Sequence, residues 1–275
     1  MIFADISRII ANTGLSRFHE YRAHTNMAPL TVNIMGGLGN QMFQLAALFH
    51  VAKQTRRNPY IQSLANPSPH SSASYFDTIF REFRSLYSTV RPAVRITEPS
   101  LAYTNWGPLL RMALNPEISG YFQDWRYVDP DFVPRLRFPA DVLARYPVNS
   151  SIFLHIRGGD YLGNPGHDIG LDGYYQRAIA HFPGAHFLVV TNDLEYAVTR
   201  PYLVGLKYTL VMEPEIDALY LMSQCAGGIC ANSSFSWWGA YLNPHRKIVM
   251  PDRWYGDPKY ATEGYYFPGV IKCQV

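Results

Sequence analysis

The run HIRGGD, residues 155–160, places three ionisable side chains directly after an apolar segment. On a strand, alternation would put His155 and Arg157 on the same face, and the two glycines would let the chain turn so that Asp160 returns toward Arg157. An arginine fork binds phosphate oxygens through two parallel hydrogen bonds, and a charge-assisted hydrogen bond contributes roughly 1.5–3 kcal/mol. Two interpretations stay open from these residues alone: an anion site, or a structural Arg157–Asp160 ion pair beside a buried histidine.

A glycine-rich run, GGLGNQ at residues 36–41, follows another apolar segment. Gly37 and Gly39 permit close backbone approach, and the start of the next helix offers unpaired N–H groups and a partial positive charge to a phosphate. The spacing does not match the G-x-G-x-x-G pattern of dinucleotide sites. An ordinary tight turn with Asn40 as the N-cap is the alternative.

Two further polar clusters end apolar segments. In TND, residues 191–193, Asp193 could accept hydrogen bonds from ribose hydroxyls or base N–H groups, or it could cap the helix that follows. In ANSSFSWW, residues 231–238, the hydroxyls of Ser233 and Ser234 and the free N–H groups form another candidate anion site. Capping of a buried aromatic helix is the alternative there.

The segments that must position these clusters alternate between strand-like and helix-like patterns. Short apolar runs predict strands, and apolar residues at three- and four-residue steps predict helices. Continuous apolar strands alternating with helices are typical of parallel sheets covered on both faces, and such sheets bind ligands at the carboxyl ends of their strands. We therefore predict an α/β fold with domains at 1–149 and 150–275, and with all four clusters at strand ends. The predicted strands cover residues 30–35, 151–157, 186–192, 209–212, 227–230 and 247–251, and the predicted helices cover residues 41–57, 172–182, 215–225 and 233–243.

Composition narrows the class of protein. The chain has 275 residues, of which 48% are hydrophobic, and its net charge of +3 gives no basis for nucleic-acid binding. The three cysteines have no metal-ligand spacing and indicate free thiols in a reducing compartment, so we expect a cytoplasmic protein. No apolar run approaches the ~20 residues of a membrane-spanning helix. Residues 1–25 carry apolar residues at helical spacing, which predicts packing on a neighbouring surface or peripheral membrane contact.

Taken together and in this order, GGLGNQMFQLA, HIRGGDYL, TND and NSSFSWWGAYLN resemble the α-1,2-fucosyltransferase family of inverting glycosyltransferases. The resemblance spans about residues 31–255 and includes GYFQDWRYV at residues 120–128. It implies two Rossmann-like lobes facing across a cleft (the GT-B type), with an acceptor-side lobe at 1–149 and a lobe at 150–275 that binds the donor GDP-L-fucose. It also implies an enzyme that needs no metal and no other cofactor.

The resemblance assigns roles by position. Arg157 matches the arginine that contacts the GDP phosphates, and His155 and Asp160 match its flanking partners. Asn40 matches the asparagine of the first glycine loop, which faces the donor across the cleft, so these four are the candidate catalytic residues. Of the donor-binding candidates, Asp193 is expected to lie toward ribose or guanine. The candidate donor-binding residues are Gly37, Gly39, Arg157, Asp193, Ser233, Ser234 and Phe235.

One position departs from the family pattern. The family commonly reads H-I-R-R-G-D, whereas this chain has Gly158 where the second arginine is usual. The departure removes one positive charge near the diphosphate. It could mean weaker donor binding, a different GDP-sugar, or compensation by Arg126, Arg177 or Arg253.

The resemblance implies transfer of L-fucose from GDP-L-fucose to a hydroxyl of a glycan acceptor, with inversion. The expected acceptor hydroxyl is O-2 of a galactoside. Asp160 and His155 are the candidates for a general base. Another GDP-sugar such as GDP-rhamnose is the alternative donor. A non-catalytic module that binds nucleotide sugars or carbohydrates is the alternative class, and Gly158 is the feature that favours it.

Overall fold

The computed structural model describes residues 27–68, 70–71, 73–245, 247–260 and 262–275. The chain divides into two compact units, with the boundary between Arg137 and Phe138. The membrane contact predicted for residues 1–25 lies outside the described residues. Within the described ranges, no helix combines the length and the apolar character needed to cross a bilayer.

The first unit is built on a four-stranded parallel sheet with the strand order β2-β1-β4-β3. Its long helix α1 buries most of its side chains and contacts β1 and β2, which explains the apolar periodicity of this segment. The elements are β1 (Pro29–Val32), α1 (Leu38–Thr55), β2 (Asn58–Tyr60), β3 (Val94–Thr97), α2 (Trp106–Leu110) and β4 (Pro116–Ser119), with 3₁₀ turns at Tyr75–Asp77, Arg81–Leu86, Trp125–Tyr127 and Val133–Arg135.

The second unit is built on a six-stranded parallel sheet with the strand order β10-β9-β8-β5-β6-β7. All six residues of β5 are buried, as expected for a central strand with helices on both faces. The strands are β5 (Ser151–Ile156), β6 (His186–Thr191), β7 (Lys207–Val211), β8 (Gly227–Ile229), β9 (Ile248–Pro251) and β10 (Ile271–Cys273). The helices are α3 (Asp172–Ile179), α4 (Leu194–Val198), α5 (Glu215–Gln224) and α6 (Ser234–Tyr241), with 3₁₀ turns at Asp141–Arg145, Val148–Ser150, Gly159–Tyr161, Pro201–Leu203 and Glu263–Tyr265.

The boundary between the units differs from the predicted one, because residues 138–149 belong to the second unit. Arg145 Nη1 donates to Glu213 Oε2 over 2.8 Å, and the ring of Phe138 stacks on Tyr220 with 5.0 Å between centroids. These contacts attach the segment to α5 and to Glu213, two residues before that helix. The segment forms 3₁₀ turns instead of a strand or a long helix, so its sequence pattern did not reveal the attachment.

The strand order places the predicted polar clusters at ligand-binding positions. In the second sheet, β5 pairs with β6 on one side and with β8 on the other. Connections therefore leave β5 and β8 in opposite directions, and this arrangement opens a crevice at the carboxyl ends of the two strands. HIRGGD begins within β5 and turns after it, ANSSFSWW follows β8, and TND ends β6, while GGLGNQ follows β1 in the first unit. The predicted α/β class with two parallel-sheet lobes is confirmed.

β5 and β8 can lie side by side because β8 has no side chain at Gly228, the partner of Phe153. A Cβ atom at position 228 would lie 1.9 Å from Cε1 of Phe153. The glycine therefore makes room for the aromatic side chain that fills the core beneath the crevice. This explains why the sequence of β8 is GGI instead of a run of branched residues.

Candidate functional site

Arg157 follows the last residue of β5 and stands at the mouth of the crevice. Its side chain is 12% exposed, and its Nη2 lies 2.6 Å from Oδ1 of Asp160, which is 57% exposed. The chain turns between them through Gly159, whose φ of 59° is left-handed and favours glycine. The predicted Arg157–Asp160 pair is confirmed, and it satisfies one N–H of the guanidinium while Nε stays buried with no partner among the described residues.

Tyr161 completes the surroundings of Arg157. The guanidinium carbon Cζ lies 4.8 Å from the centroid of the Tyr161 ring, a cation–π distance. Burial raises the pKa of Tyr161 to about 12, so the phenol keeps its proton at neutral pH. Sequence reasoning missed this residue. The signal available was its position directly after Asp160, within the same turn as the arginine.

His155 lies behind this group and is 2% exposed. Its ring faces Phe235 with 5.6 Å between centroids, and its Nδ1 has no hydrogen-bond partner among the residues that the structure describes. Burial, with a smaller contribution from the charge of Arg157, lowers the pKa of His155 to about 3. The imidazole is therefore neutral at physiological pH and is a poor proton acceptor, which leaves Asp160 as the better of the two candidate bases.

Helix α6 supplies the opposite side of the crevice. Ser233 is its N-cap and accepts a hydrogen bond at Oγ from the backbone N–H of Phe235 over 3.3 Å. The phenol of Tyr161 donates to the carbonyl oxygen of Asn232 over 3.3 Å, so the loops after β5 and β8 are in direct contact. Capping and anion binding are compatible here, because Ser234 and Phe235 in the first turn are only partly buried.

Two residues after β6 hold the glycine turn of the β5 loop. Asn192 Oδ1 accepts from Gly158 N over 3.0 Å, and its Nδ2 donates to the carbonyl oxygen of Gly158 over 3.3 Å. Asp193 Oδ2 accepts from Gly159 N over 2.9 Å, and Oδ1 accepts from Tyr196 N over 3.0 Å as the N-cap of α4. The capping alternative for Asp193 is thus confirmed, and its contact with ribose or guanine stays a prediction.

Gly158 has no room for a side chain. A Cβ atom there would lie 2.8 Å from Cβ of Asp193 and 2.9 Å from Cδ1 of Tyr196. Contacts this short require the neighbouring backbone or ring to move. The second arginine of the family pattern therefore does not fit the loop as it is folded here.

The three basic residues considered as substitutes for that arginine are all engaged elsewhere. Arg177 donates to the carbonyl oxygen of Gln274 beyond β10, at the edge of the second sheet. Arg253 Nη2 donates to the carbonyl oxygen of Ile169 over 3.0 Å. Arg126, in the first unit, binds the buried carboxylate of Asp124.

The glycine-rich motif of the first unit lies at the corresponding sheet edge of that unit. Helix α1 begins at Leu38 with Gly37 as its N-cap and no side-chain cap, so the alternative with Asn40 as the N-cap is wrong. Asn40 lies in the first turn, where its Oδ1 accepts a hydrogen bond from Nε2 of Gln123 over 2.7 Å. The catalytic role of Asn40 and the donor-binding roles of Gly37 and Gly39 stay predictions.

Glu98 is a further buried titratable group in the first unit that sequence reasoning missed. It follows β3, and its Oε2 accepts from the backbone N–H groups of Tyr121 and Phe122 over 3.0 Å each. Phe122 has a left-handed φ of 52°, and Gln123, which binds Asn40, comes next. Burial raises the pKa of Glu98 to about 7. The carboxylate of Glu98 holds the turn after β4. In the sequence, the alternation in VRIT, the residues of β3 directly before Glu98, was the only signal for a strand in this region.

Comparison with known proteins identifies the family. The family model Glycosyl transferase family 11 matches residues 140–272, nearly all of the second unit. The chain is 26% identical over 287 residues to the O-antigen biosynthesis glycosyltransferase WbnK of Escherichia coli, covering 81% of this chain and 93% of that protein. Residues 140–272 of the chain therefore match glycosyl transferase family 11. The resemblance seen in the sequence motifs is confirmed, and the protein is a glycosyltransferase.

Other relatives of this glycosyltransferase carry more specific names. An alpha-1,2-colitosyltransferase of Escherichia coli is 31% identical over 121 residues, covering 38% of this chain and 41% of that protein. A galactoside 2-alpha-L-fucosyltransferase of Caenorhabditis elegans is 24% identical over 271 residues, covering 75% and 65%. Among solved structures, POFUT1 in complex with GDP has a TM-score of 0.50 at 11% identity, covering 82% of this chain and 98% of that chain, which bears on the fold alone.

No group of three or more His, Cys, Asp or Glu side chains that could hold a metal ion occurs in the described part of the chain.

Substitution of Gly158 tests the tight contact between the β5 loop and α4. Its φ of −119° is not left-handed, so we expect Gly158→Ala to act chiefly through the clash with Asp193 and Tyr196. We expect a loss of about 1–3 kcal/mol in the free energy of unfolding, measured by urea denaturation. Gly166→Ala is the control, because the only contact within 4 Å of its Cβ outside the adjacent residues would be the flexible side-chain oxygen Oδ1 of Asn164, at 3.3 Å. A stable and more active Gly158→Arg enzyme would contradict this account.

Glu98→Gln tests the buried carboxyl of the first unit. The pKa of Glu98 is raised from 4.5 to about 7 in the folded state, so the protonated form favours folding. That contribution is full below pH 4.5 and is lost as the pH rises through 7. The Glu98→Gln enzyme should therefore show a flatter dependence of unfolding free energy on pH in this window, measured by urea unfolding from pH 4 to about 8. Parallel curves for the two proteins would show that Glu98 does not titrate there.

Proposed function

We propose that this family 11 enzyme transfers L-fucose from GDP-L-fucose to O-2 of a galactoside, with inversion at the anomeric carbon. The observation that carries the proposal is the guanidinium of Arg157, whose buried Nε lacks a partner among the described residues, next to the N-terminus of α6. Both groups bind phosphate oxygens, and they meet where parallel sheets bind nucleotides. The relative named a galactoside 2-alpha-L-fucosyltransferase supports the choice of sugar and hydroxyl.

In this reaction the bond between fucose C1 and the β-phosphate oxygen breaks, and the acceptor O-2 bonds to C1 from the opposite face. Negative charge grows on the departing diphosphate. Fixed hydrogen-bond donors aimed at developing charge contribute most when they need no reorganisation. Arg157, held by Asp160 and Tyr161, and the first turn of α6 supply such donors in the second unit.

The acceptor hydroxyl must also lose a proton. Asp160 is the candidate base in the second unit, since its carboxylate is exposed and lies beside Arg157, whereas His155 is buried and neutral. A dissociative transition state places little demand on the base, so removal of Asp160 is expected to cost less than removal of Arg157. We assign the acceptor to the first unit, where Asn40 and Gln123 lie at the edge of the sheet.

We further propose that the enzyme needs no metal, because Arg157 and the N–H groups of α6 provide the positive charge that a divalent cation would otherwise bring to the diphosphate. The three cysteines are buried free thiols. They support our proposal of a reducing, cytoplasmic compartment.

A second donor is favoured by a specific observation. The relative that matches at 31% identity over 121 residues is named an alpha-1,2-colitosyltransferase. GDP-colitose therefore joins GDP-rhamnose as an alternative donor. The alternative class is a non-catalytic module that binds nucleotide sugars or carbohydrates. The only feature that favours it is Gly158, which stands where the family commonly has a second arginine.

Removal of Arg157 tests the proposed anion site. Arg157→Ala should lower kcat/KM by roughly two to four decades, because a principal stabiliser of the leaving group is lost. Arg157→Lys should recover little, since a point charge does not replace a bidentate fork. Arg81→Ala, at an exposed arginine of the first unit, is the control. Near wild-type turnover by a folded Arg157→Ala enzyme would refute the assignment.

A donor and acceptor screen tests the reaction itself. Released GDP is measured with GDP-fucose, GDP-colitose, GDP-rhamnose and GDP-mannose, each with a panel of galactosides and other sugars, with and without EDTA. We expect GDP-fucose with a galactoside to give the highest rate and EDTA to leave it unchanged. GDP binding without sugar release would support the non-catalytic module. A higher rate with another GDP-sugar would contradict GDP-fucose as the donor.

A further inference from the structure

Tyr161 contacts three different parts of the second unit. Its ring lies 4.8 Å from Cζ of Arg157 and stacks on the ring of His167, with 4.7 Å between centroids and an interplanar angle of 18°. Its hydroxyl donates to the carbonyl oxygen of Asn232 over 3.3 Å. A surface side chain that merely fills space would not be engaged on its face and at its hydroxyl at once.

The hydroxyl contact joins the two anion-binding elements. Asn232 directly precedes Ser233, the N-cap of α6. Its own amide Nδ2 donates to the carbonyl oxygens of His167 and Trp254, each over 2.9 Å, so the backbone at this point is held in place. Tyr161 therefore connects the loop that carries Arg157 to the beginning of the helix.

Arg157 has few other constraints. Among the described residues, the only hydrogen bond of its side chain goes to Asp160, and that carboxylate is largely exposed to solvent. The ring of Tyr161 is the other contact of the guanidinium, with its centroid 4.8 Å from Cζ. The orientation of a planar fork determines whether it can bind a phosphate through two hydrogen bonds.

We propose that Tyr161 is a positioning residue for the donor site: its ring orients the guanidinium of Arg157, and its hydroxyl sets the distance between that guanidinium and the N-terminus of α6, so that both bind one diphosphate. The inference rests on the proposed function, because it takes GDP as the ligand. It concerns how the site is held, and it gives a role to Tyr161, to which the resemblance assigned none.

GDP affinity is the direct readout, since GDP bears the charge that develops on the leaving group. We expect Tyr161→Phe, which keeps the ring and loses the tie to Asn232, to weaken GDP binding about fivefold. Tyr161→Leu, which also removes the ring, should weaken it by about thirtyfold. Calorimetry with GDP up to millimolar concentration measures both. In turnover, kcat should fall more than KM for GDP-fucose rises, because the misplaced fork matters most as the diphosphate departs.

A double-mutant cycle separates positioning from general stability. If Tyr161 acts through Arg157, then Tyr161→Phe in the Arg157→Ala background should change GDP affinity by less than twofold. Tyr174→Phe is the matched control, because that buried hydroxyl donates to the carbonyl oxygens of Cys230 and Val249 near the same sheet edge without contacting Arg157. It should lower the melting temperature and leave GDP affinity unchanged.

The outcomes distinguish this inference from the proposed function. A wild-type chain that binds no GDP would overturn the proposed function. A wild-type chain that binds GDP, with the same fivefold loss from Tyr161→Phe whether or not Arg157 is present, would overturn this inference alone. Unchanged GDP affinity in both Tyr161 variants would also overturn it.

Discussion

The charge of Arg157 is the constraint on which the second unit depends. Burying most of a guanidinium costs free energy unless its charge is neutralised and its N–H groups are paired. Asp160 neutralises the charge and the Tyr161 ring lies against the guanidinium, yet Nε has no acceptor within the described part of the chain. A purely structural ion pair would be completed inside the protein. The incomplete pairing instead indicates a site that becomes satisfied when an anion binds.

The surrounding loops keep that incomplete arrangement in place. On one side, Asn192 and Asp193 after β6 hold both glycine N–H groups of the β5 turn. On the other side, the start of α6 is tied to the same loop through Tyr161. Because β5 lies between β6 and β8, a single strand order delivers both supports. A carboxylate such as that of Asp193 could bind a ribose, but both of its oxygens already accept hydrogen bonds. Oδ2 accepts from Gly159 N in the β5 turn, and Oδ1 accepts from Tyr196 N as the cap of α4.

The strands from β5 to β9 could be predicted because each is a short apolar run bounded by polar turns. The site's local features, such as the Arg157–Asp160 pair and the Ser233 cap, follow from spacing alone. Other elements lack such a signal. β3 leaves most of its side chains exposed, and β2 and β10 are three residues each. The contact of Tyr161 with Asn232 joins residues 71 apart in sequence. It exists only because β5 lies beside β8, and no local pattern encodes that strand order.

The missing second arginine changes the electrostatics of the site in a definite way. With glycine at position 158 and a neutral His155, the HIRGGD motif carries one cation, Arg157, paired with one anion, Asp160, so the net charge of this motif is close to zero before the donor binds. Attraction for a diphosphate must then come from the N–H groups of α6 and from exchange of partners at Arg157. Asp160 is exposed enough to accept such an exchange, because water can solvate its carboxylate. On the proposed function, donor binding would thereby release the carboxylate of Asp160 from Arg157, and that carboxylate could then accept the proton of the acceptor hydroxyl.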